Sequence, residues 1–495
     1  MAQIEISDLT FCYEGSYDNI FEHASLRLDT DWHTGLVGRN GRGKTTLLQL
    51  LMGRYSYQGC IRIPVACRYF PDPIADPSAD TLDVLTAATG AFELWELRRE
   101  CSRMQLDVHV LYRPFDTLSP GEQTKALLAA LFLGEDRFVL IDEPTNHLDL
   151  SGRAVVADWL KSKSGFILVS HDRAFLDSCT DHTVSINKSD ITVCAGNFSC
   201  WNSNKQLQDQ FEQQQNQRLQ REIRALQKAA AGQAAYAAGL ESKKIGFDPT
   251  ATEKSKNRRA YIGEKSRKTM KRARTMQVRI NRKLEQKGKL LHNIEQSQPL
   301  KLHTLDHYAD RLLECRDIAL FYGEKQVCGG VTFTLRPGDR LALRGKNGSG
   351  KTSLLRLLLG QQINYTGTFH KAGGLQISYM PQDPDPLTGS LAAYIDRNGL
   401  DQTLLLAILR KLDFSRDQFE KDLSDYSAAQ KKKLLLARSL CTPAHLYIWD
   451  EPLNYIDLLS RMQIEQLLLE YKPTLLVVEH DRRFCEQIAT GVIQL

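Results

Sequence analysis

Four short stretches of the chain are apolar almost without interruption: RFVLIDE at 137–143, GFILVS at 165–170, HLYIWDE at 445–451 and TLLVVEH at 474–480. Runs of this length without alternation predict strands of a parallel sheet covered on both faces. A different rhythm occupies the middle of the chain. Between 203 and 238 the apolar residues Leu207, Phe211, Leu219, Ile223 and Leu226 fall largely at helical spacing, as do Ala273, Met276, Ile280, Leu284, Leu291 and Ile294 between 267 and 297. The two stripes predict helices facing each other in an antiparallel hairpin, each ~45 Å long at the helical rise. The segment between them, 239–266, carries Gly239, Gly246, Pro249 and Gly263 and is expected to be a long loop, disordered or functional.

The strand-rich parts are copies of one another. GRNGRGKTTLL at 38–48 returns as GKNGSGKTSLL at 345–355, IDEP at 141–144 as WDEP at 449–452, and LVSHD at 168–172 as VVEHD at 477–481. The lysines, aspartates and histidines of these motifs lie 307, 308 and 309 residues apart, an offset so constant that it marks a duplication. TLSPGEQTK at 117–125 and DYSAAQKKK at 425–433 form a further pair, with Gly121 in the first where the second has Ala429. The expected fold class is α/β: a nucleotide-binding domain at 1–202, a basic helical hairpin linker at 203–304 and a second nucleotide-binding domain at 305–495.

Composition narrows the class. Hydrophobic residues make up 42% and charged residues 25%, ordinary for a folded protein. The 11 cysteines include no CxxC pair and no histidine cluster has zinc-like spacing, so they read as reduced thiols. There is no signal-like start and no run approaches the ~18–20 apolar residues of a membrane span, so a cytoplasmic chain without a transport pore is expected. The net charge of +5 conceals a division: 201–300 holds 22 Lys+Arg against 9 Asp+Glu, which leaves 42 against 50 elsewhere.

Residues 38–45 and 345–352 both fit GxxxxGK[ST] between a strand and a helix. In that setting Gly38, Asn40, Gly41, Gly43 and Thr46, and Gly345, Asn347, Gly348, Gly350 and Ser353, belong to a loop whose backbone N–H groups wrap phosphates. Lys44 and Lys351 reach the outer phosphates, and Thr45 and Thr352 are Mg²⁺ ligands. Asp142 and Asp450, at strand ends, are candidates to share that ion, while Glu143 and Glu451 are placed to polarise an attacking water. A helix cap would account for one carboxylate, not for two adjacent ones in both halves.

With these motifs the chain resembles the ABC ATPase superfamily over nearly its whole length. Two fused nucleotide-binding domains with a charged helical linker resemble the ABC-F family, and LIDEPTNHLDL, GFILVSHDRAF and LYIWDEPLNYIDL are most similar to its antibiotic-resistance branch, the Lsa and Vga type proteins. The resemblance implies two ATP and Mg²⁺ as cofactors. It implies that Tyr13 and Tyr322 stack on adenine, that His171 and His480 contact the γ-phosphate, and that Gln382 senses Mg²⁺ and water. The first half departs at that position, with Asp72 in YFPD. The domains are expected to sandwich ATP head to tail: Ser119, Gly121, Glu122 and Gln123 over Lys351, Gln382, Glu451 and His480, and Ser427, Ala429 and Gln430 over Lys44, Asp72, Glu143 and His171. Both departures, Asp72 and Ala429, then fall in one composite site, and a faster Lys351 site is expected. Pro120 removes one N–H from the first signature.

Residues 254–274 hold ten basic residues, Lys254, Lys256, Arg258, Arg259, Lys265, Arg267, Lys268, Lys271, Arg272 and Arg274, against Glu264 alone, with Phe247 and Tyr261 beside them. At the outer end of a hairpin this charge reads as a nucleic-acid contact. The resemblance supplies the partner: the 70S ribosome, its rRNA and tRNA, entered from the exit side, with the chain a monomer pairing its own halves. The short span from Thr45 to Leu118 and the end fifteen residues after His480 favour the resistance branch, which implies displacement of lincosamide, streptogramin A and pleuromutilin drugs. The alternatives are a translation regulator, an ATP-dependent DNA-binding protein and, last, the ATPase subunit of an exporter.

Overall fold

All four uninterrupted apolar runs form buried strands: Arg137–Asp142, Phe166–Val169, Leu446–Asp450 and Leu475–Val478. The computed structural model of the protein describes residues 2–14, 19–90, 92–134, 137–146, 148–187, 190–245, 256–290, 300–323, 325–345, 348–382 and 387–495. Packing divides the chain into two compact units, Met1–Trp201 with Ser297–Leu495, and Asn202–Gln296.

In the first unit each half is built on a parallel sheet. One runs Ala66–Phe70, Arg137–Asp142, Phe166–Val169, His33–Gly38, His182–Ile186, with Ile191–Ala195 antiparallel at its edge. The other runs Ile377–Met380, Leu446–Asp450, Leu475–Val478, Arg340–Arg344, Gly491–Gln494. Successive residues of a strand point to opposite faces. Leu140 and Ile167 therefore join a core with Leu47 and Leu48 of the helix Lys44–Leu51, while Val139, Ile141 and Leu168 join one with Leu128 and Ala129 of the helix Pro120–Leu131. Three antiparallel strands, Phe21–Asp29, Gln3–Phe11 and Gln58–Arg62, complete the first half, and Lys325–Leu335, Leu313–Tyr322 and Asn364–Lys371 repeat them in the second.

The halves also meet through paired charge. Arg173, at the start of the helix Arg173–Cys179, donates from Nη1 to Glu465 Oε2 at 3.0 Å and from Nη2 to Oε1, both side chains being buried. Arg483 reaches back to Asp177 at 3.2 Å and to Ser199 Oγ at 3.1 Å. The duplication does not repeat the first pair: Arg482 stands in Arg173's place with an exposed partner, Glu486, and Ala157 stands in that of Glu465.

The second unit holds most of the helix Phe198–Ile245 and the helix Lys256–Leu290. Lys283 pairs with Glu222, and Lys265 Nζ lies 6.0 Å from the Tyr236 ring centre, so the helices run antiparallel. Asn216 and Ile223 on one helix, and Ser266 and Ile280 on the other, are buried, with Ala273 half-buried between the latter two. The sevenfold spacing is that of a coiled-coil seam. Three stripe residues, Leu207, Phe211 and Leu284, are instead exposed, while Leu291 and Ile294 lie outside the described residues.

The loop expected at 239–266 is largely helix, since 239–245 and 256–266 are helical. Gly239 and Gly263 cost a helix about 1 kcal/mol each relative to alanine. The alanine-rich AAAGQAAYAAGL at 229–240 and the paired partner helix outweigh that cost. Gly246, Phe247, Pro249 and Lys254 lie outside the described residues.

Removing one partner of a buried ion pair leaves the other uncompensated. Arg173→Met is expected to destabilise the full chain by roughly 3–5 kcal/mol, and Arg173→Met/Glu465→Leu to recover most of it. Denaturant unfolding reads both, and a single variant within about 1 kcal/mol of the parent would count against the pair holding the halves.

Candidate nucleotide sites between the halves

Each candidate site starts at the carboxyl ends of the parallel strands, where an open α/β sheet leaves a crevice. The strand His33–Gly38 leads through a glycine loop to the helix Lys44–Leu51, which begins at Gly43 with φ 90°. A Cβ there would come within 2.5 Å of Ile20 Cγ2, so the left-handed turn and the close packing both call for glycine. Gly350, φ 91°, opens the helix Lys351–Leu358 in the same way. Lys44 Nζ donates to the carbonyls of Gly38 at 2.8 Å and Arg39 at 3.1 Å, and Lys351 Nζ to that of Gly345 at 3.0 Å. Lys346 and Asn347 lie outside the described residues.

The candidate metal ligands meet in both halves. Thr45 Oγ1 donates to Asp142 Oδ2 at 2.6 Å, and Thr352 Oγ1 to Asp450 Oδ2 at 3.2 Å. A hydroxyl beside a carboxylate is the hard-oxygen donor set that suits Mg²⁺, whose charge would offset that of the phosphates. The glutamate after each aspartate has left-handed backbone, φ 51° at Glu143 and 47° at Glu451, with its N–H bonded to the Val169 or Val478 carbonyl at 2.9 Å. Such a conformation is strained for a residue with a Cβ and clusters at functional sites.

The two glutamates differ in surroundings. Glu451 Oε2 accepts from Gln382 Nε2 at 3.0 Å and Asn454 Nδ2 at 2.6 Å, with His480 Nε2 3.6 Å from Oε1. Burial pushes its carboxyl up, but hydrogen bonds from and the charge of His480, with the Asn454 bond, hold it below the usual range. Glu143 has His171 Nε2 at 3.2 Å, and no side-chain amide among the described residues bonds its oxygens. Burial, then the charge of Asp142, pushes Glu143 up to about 8. Burial likewise raises Asp142, lifts Asp450 to about 6 with help from Glu451, and drives His171 well below its usual value, with Lys44 adding to the effect.

Asp72, expected to face the first site, turns aside. Its carboxylate pairs with Arg54 at 2.9 Å, Arg54 lies 5.4 Å from the Tyr69 ring centre, and Tyr69 OH donates to Asp142 at 3.1 Å.

The remaining wall of each crevice comes from the other half. A cleft of about 440 Å³ brings Lys351, Thr352, Ser353, Gly348, Gly350, Gln382, Glu451 and His480 together with Pro120, Asn146 and Arg153 of the first half. A second, of about 430 Å³, brings Tyr13, Asn40, Gly41, Gly43, Lys44, Thr45, Thr46, Asp142, Glu143 and His171 together with Ser427, Ala429 and Tyr455 of the second. The facing helices Pro120–Leu131 and Ala428–Cys441 both start in capping boxes, Ser119 with Glu122 and Ser427 with Gln430. The equivalent of Gln430 is therefore Glu122, not Gln123, whose side chain donates to the Phe115 carbonyl at 2.9 Å within its own half. Tyr13 OH meets Thr46 Oγ1 at 2.9 Å, and Tyr322 OH accepts from Ser353 at 3.3 Å.

A model described as ABC transporter matches residues 21–146 and again 328–454. The chain belongs to this family. Over 491 residues it is 28% identical to the ribosome protection protein VmlR of Bacillus subtilis (strain 168), spanning 98% of this chain and 85% of that protein. It is 27% identical to the ATP-binding protein Uup of Caulobacter vibrioides, over 96% of this chain and 74% of that one. Among solved structures, the archaeal ribosome recycling factor aABCE1, in complex with the ribosomal stalk protein aP1, matches with a TM-score of 0.62 at 16% identity, covering 96% of this chain and 84% of that one. That likeness is one of fold. Among the described residues no helix is long and apolar enough to cross a membrane.

Within the second ABC half, motif reading missed two lysines. Lys432 and Lys433 follow the capping box, and both are buried. Lys432 Nζ donates to the carbonyls of Pro381, Gln382 and Asp450 at 3.1, 2.7 and 3.3 Å. Lys433 pairs with the buried Asp457 at 3.1 Å. They tie the helix Ala428–Cys441 to the Gln382 strand end, to Asp450 and to the loop after Glu451. The available signal was a lysine run directly preceding LLLA in a helix.

The contrast between the glutamates predicts unequal sites. Glu451→Gln should lower steady-state ATP turnover by about tenfold or more, and Glu143→Gln by much less. A base acts only when deprotonated, so a carboxyl raised to about 8 gains activity as pH rises. Residual turnover in Glu451→Gln should therefore climb about tenfold between pH 7 and 9. Equal losses in both variants, or a flat profile, would contradict the assignment.

Proposed function

We propose that the chain is an ABC-F ATPase that acts on the ribosome and protects its peptidyl-transferase centre from lincosamide, streptogramin A and pleuromutilin drugs by displacing them. The observation that carries the reading is the combination of two head-to-tail nucleotide clefts with a strongly basic helical hairpin in a chain whose described residues include no membrane helix. A 28% identical relative named as a ribosome protection protein supports the ribosome over duplex DNA as the partner.

In this reading ATP binds with its phosphates on the two glycine loops and Mg²⁺ on Thr45 with Asp142 and on Thr352 with Asp450, Gln382 joining the second set. Tyr13 and Tyr322 face adenine. Ser119 and Gly121 close the Lys351 site and Ser427 and Gln430 the Lys44 site, while Gln123 is set aside by its inward bond. Glu451, held by two amides, orients the water, and His480 contacts the γ-phosphate. ATP closes the clefts and hydrolysis opens them, so nucleotide state sets how long the chain stays on its target.

The hairpin supplies the contact. Lys265, Arg267, Lys268, Lys271, Arg272 and Arg274 are exposed on the helix Lys256–Leu290, beside the exposed Tyr261. Lys256, Arg258 and Arg259 begin the same helix, though their side chains lie outside the described residues. Phosphate attraction gives affinity without sequence preference.

With hydrolysis blocked by Glu143→Gln/Glu451→Gln, the chain should co-sediment with ribosomes only in ATP. Changing Arg267, Lys268, Lys271 and Arg272 to Gln should weaken retention and flatten its salt dependence by about one unit of slope per lost phosphate contact. Growth of a sensitive host on a lincosamide then separates protection from regulation. Retention on duplex DNA with none on ribosomes would overturn the reading.

A further inference from the structure

Glu479 stands one residue before His480, where the first half has Ser170. It is buried, and its carboxylate accepts three backbone N–H bonds. Leu453 N donates to Oε1 at 2.8 Å, and His480 N and Asp481 N donate to Oε2 at 2.7 and 3.2 Å. The donors belong to separate segments. One is the turn after the strand Leu475–Val478 that carries His480, and the other is the loop 453–457 between Glu451 and the helix Leu458–Tyr471.

The first half builds the same place from neutral groups. Ser170 Oγ meets Thr145 Oγ1 at 3.1 Å and accepts from Asp172 N at 3.1 Å, and Leu453 replaces Thr145. A side-chain hydroxyl pair in one half is thus a carboxylate gripping backbone in the other. Hydrogen bonds to an ionised acceptor are roughly twice as strong as neutral ones, and a buried carboxylate released from them would be left uncompensated. The His480 turn and loop 453–457 are therefore constrained to shift together.

That loop touches the opposite site. Arg461 holds it through the carbonyls of Leu453 at 2.8 Å and Ile456 at 2.9 Å, and Tyr455 sits in it at φ 62°. The Tyr455 carbonyl accepts from Asn40 Nδ2 at 2.8 Å, and Asn40 Oδ1 lies 3.4 Å from Lys44 Nζ. A continuous set of bonds runs from the His480 turn, through Glu479 and loop 453–457, to the first glycine loop.

We propose that Glu479 is a positioning residue that couples the two nucleotide sites, passing the state of the Lys351 cleft to the glycine loop of the Lys44 cleft. The proposal rests on the reading of both clefts as ATP sites. Coupling between bound ligands is reciprocal, so it is legible in equilibrium binding.

The full-length Glu143→Gln/Glu451→Gln chain, which cannot hydrolyse, is titrated with a fluorescent ATP analogue. It should fill two sites per chain with a Hill coefficient above about 1. Glu479→Ser/Leu453→Thr, which installs the first half's own hydroxyl pair, should still fill two sites with a melting point within about 5 °C, but with a Hill coefficient of about 1. Glu479→Gln, which keeps a carbonyl acceptor, should fall between. Non-cooperative filling of the parent, or full cooperativity in a folded double variant, overturns the proposal. No nucleotide binding by the parent overturns the ATP-site reading and the coupling with it, a result distinguished by the missing stoichiometry.

Discussion

A parallel sheet that is apolar on both faces has its polar chemistry at its ends, and the ends are where this chain is least able to satisfy itself. Thr45, Asp142, Glu143 and His171 converge at the carboxyl edge of one sheet and Thr352, Asp450, Glu451 and His480 at that of the other, with Asp142, His171 and Asp450 buried. Buried carboxylates and imidazoles need compensating charge or hydrogen bonds. To each edge the opposite half adds a capped helix start or a loop that closes the cleft. Neither half is complete without the other, and the buried Arg173–Glu465 pair helps to hold them in that register.

The two edges have diverged from that shared need. At the Lys351 site two amides and a histidine favour the ionised glutamate, and Lys432 braces the backbone carbonyls of Gln382 and Asp450. At the Lys44 site no side-chain amide among the described residues bonds the glutamate, the facing helix presents Ala429, and Asp72 is occupied by Arg54. Asp72 therefore does not add an unpaired negative charge beside the phosphates. What the site lacks is an amide at that position, while burial and the charge of Asp142 push the Glu143 carboxyl up to about 8.

Motifs fixed by local geometry were legible in the sequence. A glycine loop, a strand-ending Asp-Glu pair and a histidine turn each need particular residue types at fixed spacing, and the duplication displayed each twice. The seam of the hairpin was legible for the same reason, through Ile223 and Ile280. One reading failed because a local signal was weighed without its competitor. Glycines suggested a loop at 239–266, but an alanine-rich run and a partner helix kept most of it helical. Glu479 and the Arg173–Glu465 pair were not legible, because each depends on a partner that only the fold brings near, and the lysine run marked Lys432 and Lys433 without showing what they would meet.

The head-to-tail arrangement is carried on one polypeptide, and this bears on how the protein responds in the cell. In the function proposed above, closure of the clefts is a unimolecular event, since both halves belong to one compact unit of a single chain. Its midpoint in ATP does not depend on how many copies are present, whereas assembly from separate subunits would weaken on dilution. A protein of this design gives the same switch at a handful of molecules as at thousands, so its expression level sets how many targets are served and not how sharply each one responds.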